Sequence, residues 1–307
     1  MNIPPAIVDW FREVFAAANR RLSEKLLNVP NIPETSLDTT LVEHLSGYAA
    51  PHRFPSNWVI RFDTHYIGGL RHFYDQWEIA DIGVLIFFQQ SGRLVRRKVA
   101  LLQSKRLYPA TGEVEVLERY DYMIGMARLG DRDSNAPSML ATRRFGFDEV
   151  CRYGALVSGD KQHRAIAAHI DQHKIPVFYL LYNPPLVPLI IELPLLSDAV
   201  QQDDPTLGAR VIPVAPMFAV LEAASAGYKP SLADTRDLLV GHPNGPDSFG
   251  WRLEHFMADL LLGCREGRRF DNTDHRALEA LFYRRSGPIS ATIAVTIEVP
   301  DDVELGD

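Results

Sequence analysis

The sequence predicts an α/β protein in which helices alternate with apolar strands in a layered core. Three stretches carry that reading. From Pro5 to Asn28, Ile7, Trp10, Phe11, Val14, Phe15, Ala18, Leu22 and Leu26 recur at the spacing of one helical face. Ile79 to Phe88 is nearly all apolar with β-branched residues, and Leu94 to Leu102 is a second apolar strand interrupted by three consecutive basic residues; joined by the turn sequence QQSG, they read as an antiparallel hairpin with an interior first strand. Pro176 to Asn183 (PVFYLLYN) is another buried strand, stopped by Pro184 and Pro185.

The remaining elements follow in chain order. Asn28 and Pro30 end the first helix. A second begins near Thr35 or Ser36, where a hydroxyl can cap free N–H groups, and runs through LDTTLVEHLSGYAA, with Glu34 at its entrance and Glu43 inside. WVIRFDTHYI alternates Val59, Arg61, Asp63 and His65 against Trp58, Ile60 and Phe62, a strand pattern. Asp133 to Ser138 reads as loop, Phe147 to Gln172 as mainly helix, RVIPVAP as a short strand and Ser231 to Val240 as a short helix. GHPNGPDSFG is loop, and Trp251 to Cys264 a helix. Ile289, Ala291, Ile293, Val295, Ile297 and Val299 alternate as one face of a half-buried strand before an acidic tail. The organisation predicted is an N-terminal amphipathic helix (1–29), a core (30–215) and a C-terminal extension (216–307) packed on that core or continuous with it.

Composition narrows the function classes. With 307 residues, 46% hydrophobic and 23% charged, the chain is neither disordered nor collagenous and buries a core without staples. Cys151 and Cys264 are too few for a disulfide framework or a zinc cluster, which points to the reducing cytoplasm. The start MNIPPAIVDW has no basic n-region, and Val177 to Leu196, the richest apolar stretch, is broken by Asn183, prolines and Glu192, so no membrane partner is expected. A net charge of −7 offers no global attraction to nucleic acid. GxGxxG, Walker A, GxSxG and zinc-finger spacings are missing from the sequence.

The hairpin brings chemistry together. If its loop centres on residue 92, opposed residues sum to 184, so Asp81 faces Gln103 and Lys105 lies two residues further on the same face. A two-residue turn at Ser91 and Gly92 alone would make the sum 183 and put Asp81 on the other face. A site here therefore predicts a three-residue loop or a bulge. An Asp and a Gln oxygen on adjacent strands suit Mg²⁺, and a neighbouring lysine can orient an attacking water and offset charge developing on a phosphate.

These residues resemble the PD-(D/E)xK nuclease superfamily, in the Mrr-like variant where glutamine replaces the second metal-binding acid. The matching pieces are the acid-bearing helix PETSLDTTLVEHL, the strand IADIGVLIFF with Asp81, and LLQSKR with Gln103 and Lys105. Motif-level support covers residues 34 to 120. The resemblance implies a restriction-endonuclease-like mixed central sheet flanked by helices, with an additional N-terminal helix and a C-terminal α/β extension. It implies that Asp81 binds Mg²⁺ (or Mn²⁺), that Gln103 contributes its carbonyl oxygen, that Lys105 serves the hydrolytic water, and that Glu34 or Glu43 completes the site; Glu78 is a third choice. The implied substrate is DNA, with a homo-oligomer as the working unit and a partner ATPase or sensor protein in a bacterial restriction or antiphage setting. Readings in which the chain only binds nucleic acid or a partner, or cuts RNA, stand beside it.

A local basic stretch supplies what the net charge does not. Between Ile82 and Gly112 there is no Asp or Glu, while Arg93, Arg96, Arg97, Lys98, Lys105 and Arg106 give +6, the field that phosphate contact needs. Arg143, Arg144, Arg152, Lys161 and Arg164 would extend it if their layer adjoins the hairpin. The alternative is a strand edge charged against aggregation. His169 and His173 form an i, i+4 pair that reads as structural or solvated, His65 and His72 lie near the predicted catalytic edge, and Tyr120 and Tyr122 follow the site strand, where core packing is the default reading and phosphate contact the alternative.

Overall fold

The computed structural model describes residues 3–67, 78–111, 143–193, 206–239, 250–270, 282 and 289–304. His72, Tyr120, Tyr122, the loop at 133–138 and most of GHPNGPDSFG lie outside them. The helices are α1 (Pro5–Asn28), α2 (Glu34–Ser46), α3 (Lys161–His173), α4 (Val214–Ala223), α5 (Leu232–Leu239) and α6 (Leu253–His255), which runs on into a π-helical turn (Phe256–Leu262). The strands are β1 (His52–Arg53), β2 (Val59–Tyr66), β3 (Ala80–Gln90), β4 (Arg93–Tyr108), β5 (Ala110–Thr111), β6 (Arg143–Phe147), β7 (Arg152–Tyr153), β8 (Val177–Tyr182), β9 (Leu189–Leu193), β10 (Arg210–Pro213), β11 (Trp251–Arg252), β12 (Arg268–Phe270) and β13 (Ile289–Val299).

One large mixed sheet runs β1-β2-β13-β3-β4-β8-β10-β11, with β12 and β7 also pairing with β4, and β5-β6-β9 form a second small sheet. The predicted mixed α/β sheet flanked by helices is what the chain forms. Apolar side chains on its two faces build two cores. Ile82, Val84, Ile86, Phe88, Ala100 and Leu102 pack under α1, α2 and the π-helical turn. Leu85, Val99, Leu101, Tyr179 and Leu181 pack with Ile166 of α3, Met217 of α4 and Leu239 of α5. Cover on both faces explains why β3 and β8 read as unbroken apolar runs instead of alternating. β13 runs parallel to β3 and antiparallel to β2, between them, so the sheet takes strands from both sides of residue 215. Among the described residues no helix is long and apolar enough to cross a membrane.

Several local expectations are corrected. Helix α2 starts one residue before Thr35, with Pro33 at its N-cap and no side-chain cap; the hydroxyls of Thr39 and Thr40 instead donate back to the Thr35 and Ser36 carbonyls. Glu34 thus becomes the first helical residue. Between Phe147 and Gln172 only the part from Lys161 is helical; Phe147 ends β6 and Arg152–Tyr153 is β7. Trp251 and Arg252 pair with β10 before the helix begins. The helix α4 follows β10 directly, in a stretch read only as strand.

The hairpin register is the one the site required. Gln90 faces Arg93 and Gln89 faces Leu94, which sum to 183 around a two-residue turn in which Ser91 (φ 49°) and Gly92 (φ 71°) are both left-handed. Val95 then bulges out, and from Phe88 opposite Arg96 to Ile82 opposite Leu102 the sum is 184. Continued one pair further, Asp81 stands opposite Gln103.

Candidate active site

Strands β4 and β8 are parallel, and the candidate residues gather toward their carboxyl ends, where α2 and α3 both point their N-termini. Asp81 enters β3 there, buried at 6% exposure. Its Oδ2 accepts from the Ser104 main-chain N–H at 2.7 Å and from Gln103 Nε2. Lys105, 3% exposed, donates Nζ to the Ser104 carbonyl at 2.7 Å and lies 3.5 Å from Glu34 Oε1. Asp81, Gln103, Lys105 and Glu34 are thus brought together. Glu43 is not: it is exposed, nine residues from Glu34 and half a turn round the helix, on the face away from the sheet. Glu78 turns its carboxylate to the Ser290 hydroxyl.

Two residues that the sequence reading passed over belong to the cluster. Asp38, one turn after Glu34, is buried, and its Oδ1 accepts from Ser104 Oγ and from the Tyr182 hydroxyl at 2.8 Å. Gln162, in the first turn of α3, donates Nε2 to Gln103 Oε1 at 3.1 Å and to the Glu78 carbonyl at 3.2 Å. The Glu78 carbonyl can only accept, so it fixes which way the Gln162 amide points and, through it, the Gln103 amide. Gln103 therefore offers Asp81 an N–H, and its carbonyl oxygen is turned to α3. The spacing of Asp38 from Glu34 was a readable signal; that of Gln162 was not.

The carboxylates disturb one another. Burial, then the charge of Asp81, holds Asp38 well above the ordinary aspartate range, against the pull of the Ser104 and Tyr182 hydroxyls. Glu34 is raised by burial and further by Asp81, while Lys105 pulls it down. Glu34 Oε2 is buried with no hydrogen-bond partner. Such a set of hard oxygen donors under mutual repulsion has the chemistry that a small divalent cation relieves. Among the described residues, no three acid, histidine or cysteine side chains converge to hold a metal; Asp81 and Glu34 are the carboxylates here that could share an ion with water.

The basic stretch divides. Lys98 and Arg106 are buried, which corrects their assignment to a nucleic-acid surface. Lys98 Nζ donates to the Leu261 carbonyl at 3.0 Å and to that of Glu266, and burial lowers its pKa. Arg106 donates Nη1 to the Ile32 carbonyl and Nη2 to that of Pro30, tying down the segment that leads into α2. Both sit where helices cover the sheet, so a cation there must be satisfied internally. Arg93 is exposed and Arg96 and Arg97 half-buried, near the hairpin tip. Arg96 pairs with Phe88, seven residues from Asp81, which puts it about 24 Å along the strand from the carboxylates. Of the proposed extension, Arg144 lies 3.9 Å from Glu192 and Arg152 stands opposite Tyr108.

His65 is exposed at the Asp81 end of the sheet, two strands from β3. His169 is buried, and desolvation lowers its pKa to about 4, leaving it a neutral core residue whose ring lies 4.8 Å from that of His173, tilted by 43°. Comparison with protein-family models, with curated proteins and with solved structures returns no match to the chain.

Proposed function

We propose that the chain is a metal-dependent endonuclease with a restriction-endonuclease-like core that hydrolyses phosphodiester bonds of DNA. The observation that carries the reading is the meeting of Asp81, Lys105 and Glu34 at the carboxyl end of β4, with Gln103 hydrogen-bonded to Asp81. Asp81 and Glu34 would hold Mg²⁺ or Mn²⁺, with water filling the remaining positions. When bound, such an ion polarises a phosphoryl oxygen and makes a coordinated water more acidic. Lys105 would orient the attacking water and offset charge developing on the phosphate, and the N-termini of α2 and α3 would add positive ends of helix dipoles. Cutting both strands of a duplex takes two such sites, so a homo-oligomer is part of the proposal, with recognition or activation supplied by a partner ATPase or sensor protein in a restriction or antiphage setting.

A second reading, a nuclease-like subunit that binds nucleic acid or a partner without cutting, is favoured by the Gln103 amide, which turns its nitrogen to Asp81. Plasmid cleavage separates the two, run with Mg²⁺ or Mn²⁺ at low and moderate salt on wild type, Asp81→Ala, Lys105→Ala, Glu34→Gln and Glu43→Gln. Wild type and Glu43→Gln should cut, with Asp81→Ala and Lys105→Ala slower by about 100-fold or more and Glu34→Gln also impaired. A wild type that binds DNA but never cuts it favours the second reading. Equal cutting by all five proteins refutes the site, and exclusive cleavage of RNA in a parallel digestion refutes the substrate.

A further inference from the structure

We infer that the cavity just beyond Lys105 on β4 binds one unpaired nucleotide, its base and sugar against the apolar wall and its phosphate on Arg152 and Lys229. The inference deepens the nuclease reading and rests on it for its role: in a duplex substrate the nucleotide beside the cut would be unstacked into the cavity, at a cost that an already single strand does not carry. The cavity holds about 600 Å³, within the range of roughly 300–1,000 Å³ typical of small-molecule sites. Its wall is mainly apolar, with Val150 and Ala155 among the lining, and among the described residues its charged lining is two cations, Arg152 and Lys229. An apolar hollow with two cations in its described wall suits a ligand with a flat body and an anionic end.

Arg152 is held in place for such a contact. Its Nη1 donates to the Lys229 carbonyl and its guanidinium lies 5.0 Å over the Tyr228 ring. A guanidinium carries five N–H donors, so one spent on a carbonyl leaves others for a phosphate. Asp234 accepts from the Tyr228 hydroxyl at 2.6 Å and the Ser231 N–H at 2.7 Å and is in electrostatic contact with Arg152, so a phosphate would share the Arg152 charge with it. Tyr108 stands opposite Arg152 in the β4–β7 ladder, so the two share a face. Its ring seats against Gly154, where a Cβ would come within 2.9 Å of it; any other residue would push the ring out of the cavity wall.

Position ties the cavity to the candidate site. Tyr108 is three residues past Lys105, about 10 Å along the strand and on the opposite face of β4, so a strand that joins the cavity to the candidate site would pass over the end of β4, a reach of one or two nucleotides. Arg93, Arg96 and Arg97, at the other end of the hairpin, are too far to hold that part of a strand. A base enters a concave pocket only when it is out of its stack, which favours single-stranded or unpaired nucleotides over a closed duplex.

Isothermal titration calorimetry on the full chain, without divalent cations, tests this with deoxyadenosine monophosphate, deoxyadenosine, inorganic phosphate, a short single-stranded oligonucleotide and its duplex. The monophosphate should bind saturably, with deoxyadenosine and phosphate each weaker by about tenfold or more, and the single strand should bind more tightly than the duplex. The double substitution Arg152→Ser with Lys229→Ser should weaken monophosphate binding by about tenfold or more. Val150→Trp should weaken it similarly by filling the cavity; Val150 is 69% exposed, so its melting temperature should hold. Asp81→Ala should bind the monophosphate as wild type does, so a chain that binds but never cuts fails the nuclease reading alone, and one that cuts without this binding fails the pocket alone. No saturable binding by any probe, binding that survives both sets of substitutions, or binding lost in Asp81→Ala overturns the inference. Tighter binding of the free monophosphate than of the single strand overturns the assignment to a strand.

Discussion

Replacing Arg106 by leucine asks whether this cation holds the fold together or touches a ligand. Its side chain is fully buried and donates to the Ile32 and Pro30 carbonyls. Charge-assisted bonds contribute about 1.5–3 kcal/mol each, so losing both costs about 3–6 kcal/mol. Leucine recovers some apolar burial in the same space, which brings the net loss to roughly 3–5 kcal/mol. An unfolding entropy of about 2.1 cal/mol/K per residue over 307 residues is about 0.65 kcal/mol/K. The melting temperature should therefore fall by about 5–8 °C, read by calorimetry or circular dichroism. In parallel, the salt dependence of DNA binding should keep its slope, since a buried cation releases no counterion from DNA. An unchanged melting temperature together with a slope smaller by about one would refute the assignment and return Arg106 to the nucleic-acid surface.

Two further outcomes follow from the site and its register. Asp38 is held above its ordinary pKa by burial and by Asp81, so the native state binds more protons than the unfolded chain, and stability falls as pH rises from the ordinary aspartate value through the folded one. Asp38→Asn keeps an oxygen for the Ser104 and Tyr182 hydroxyls and should flatten that fall, raising stability at pH 8 by about 1–2 kcal/mol in urea melts; a steeper fall in the variant counts against the argument. Deleting Val95, the unpaired bulge residue, 43% exposed, should leave Phe88 opposite Arg96 and Asp81 opposite Gln103, at a cost within about 1 kcal/mol. Loss of the Asp81–Gln103 pairing in nuclear Overhauser contacts of the deletion variant would show that the bulge sets more than a local kink.

What could be read from the chain divides along physical lines. The pairing of Asp81 with Gln103 was legible because a strand's side chains alternate strictly, so a sum of residue numbers decides the face. The bulge that delivers it was inferred only as a requirement; its place at Val95 depends on both turn residues taking left-handed backbone, which QQSG does not announce. Alternation also found β13, but a pattern of faces carries no information about neighbours, so its place between β2 and β3 came only from the fold. The helix α4 was hidden because Val214 to Ala223 is apolar nearly all round and opens among prolines, which looks like strand and turn.

The misplaced cations and the overlooked Asp38 share one cause, and it bears on the candidate site. A charge in a strand is read as exposed when the strand is taken to have one wet face, whereas β4 from Lys98 to Leu107 is covered on both. A cation there must find partners inside, which Lys98 and Arg106 find in carbonyls and Lys105 in the Ser104 carbonyl and Glu34. The same reasoning applied to α2 would have picked Asp38 over Glu43: Leu37, Leu41 and Leu45 mark the buried stripe, Asp38 lies beside it, and Glu43 lies across the helix. An acid on an apolar stripe, a turn from Glu34 and facing a strand with a buried acid and a buried lysine, raises the carboxylate repulsion at this end of the sheet. Evolution tolerates such repulsion mainly where a binding partner offsets it, and that is the physical reason to look for chemistry at this end of β4 before any other part of the molecule.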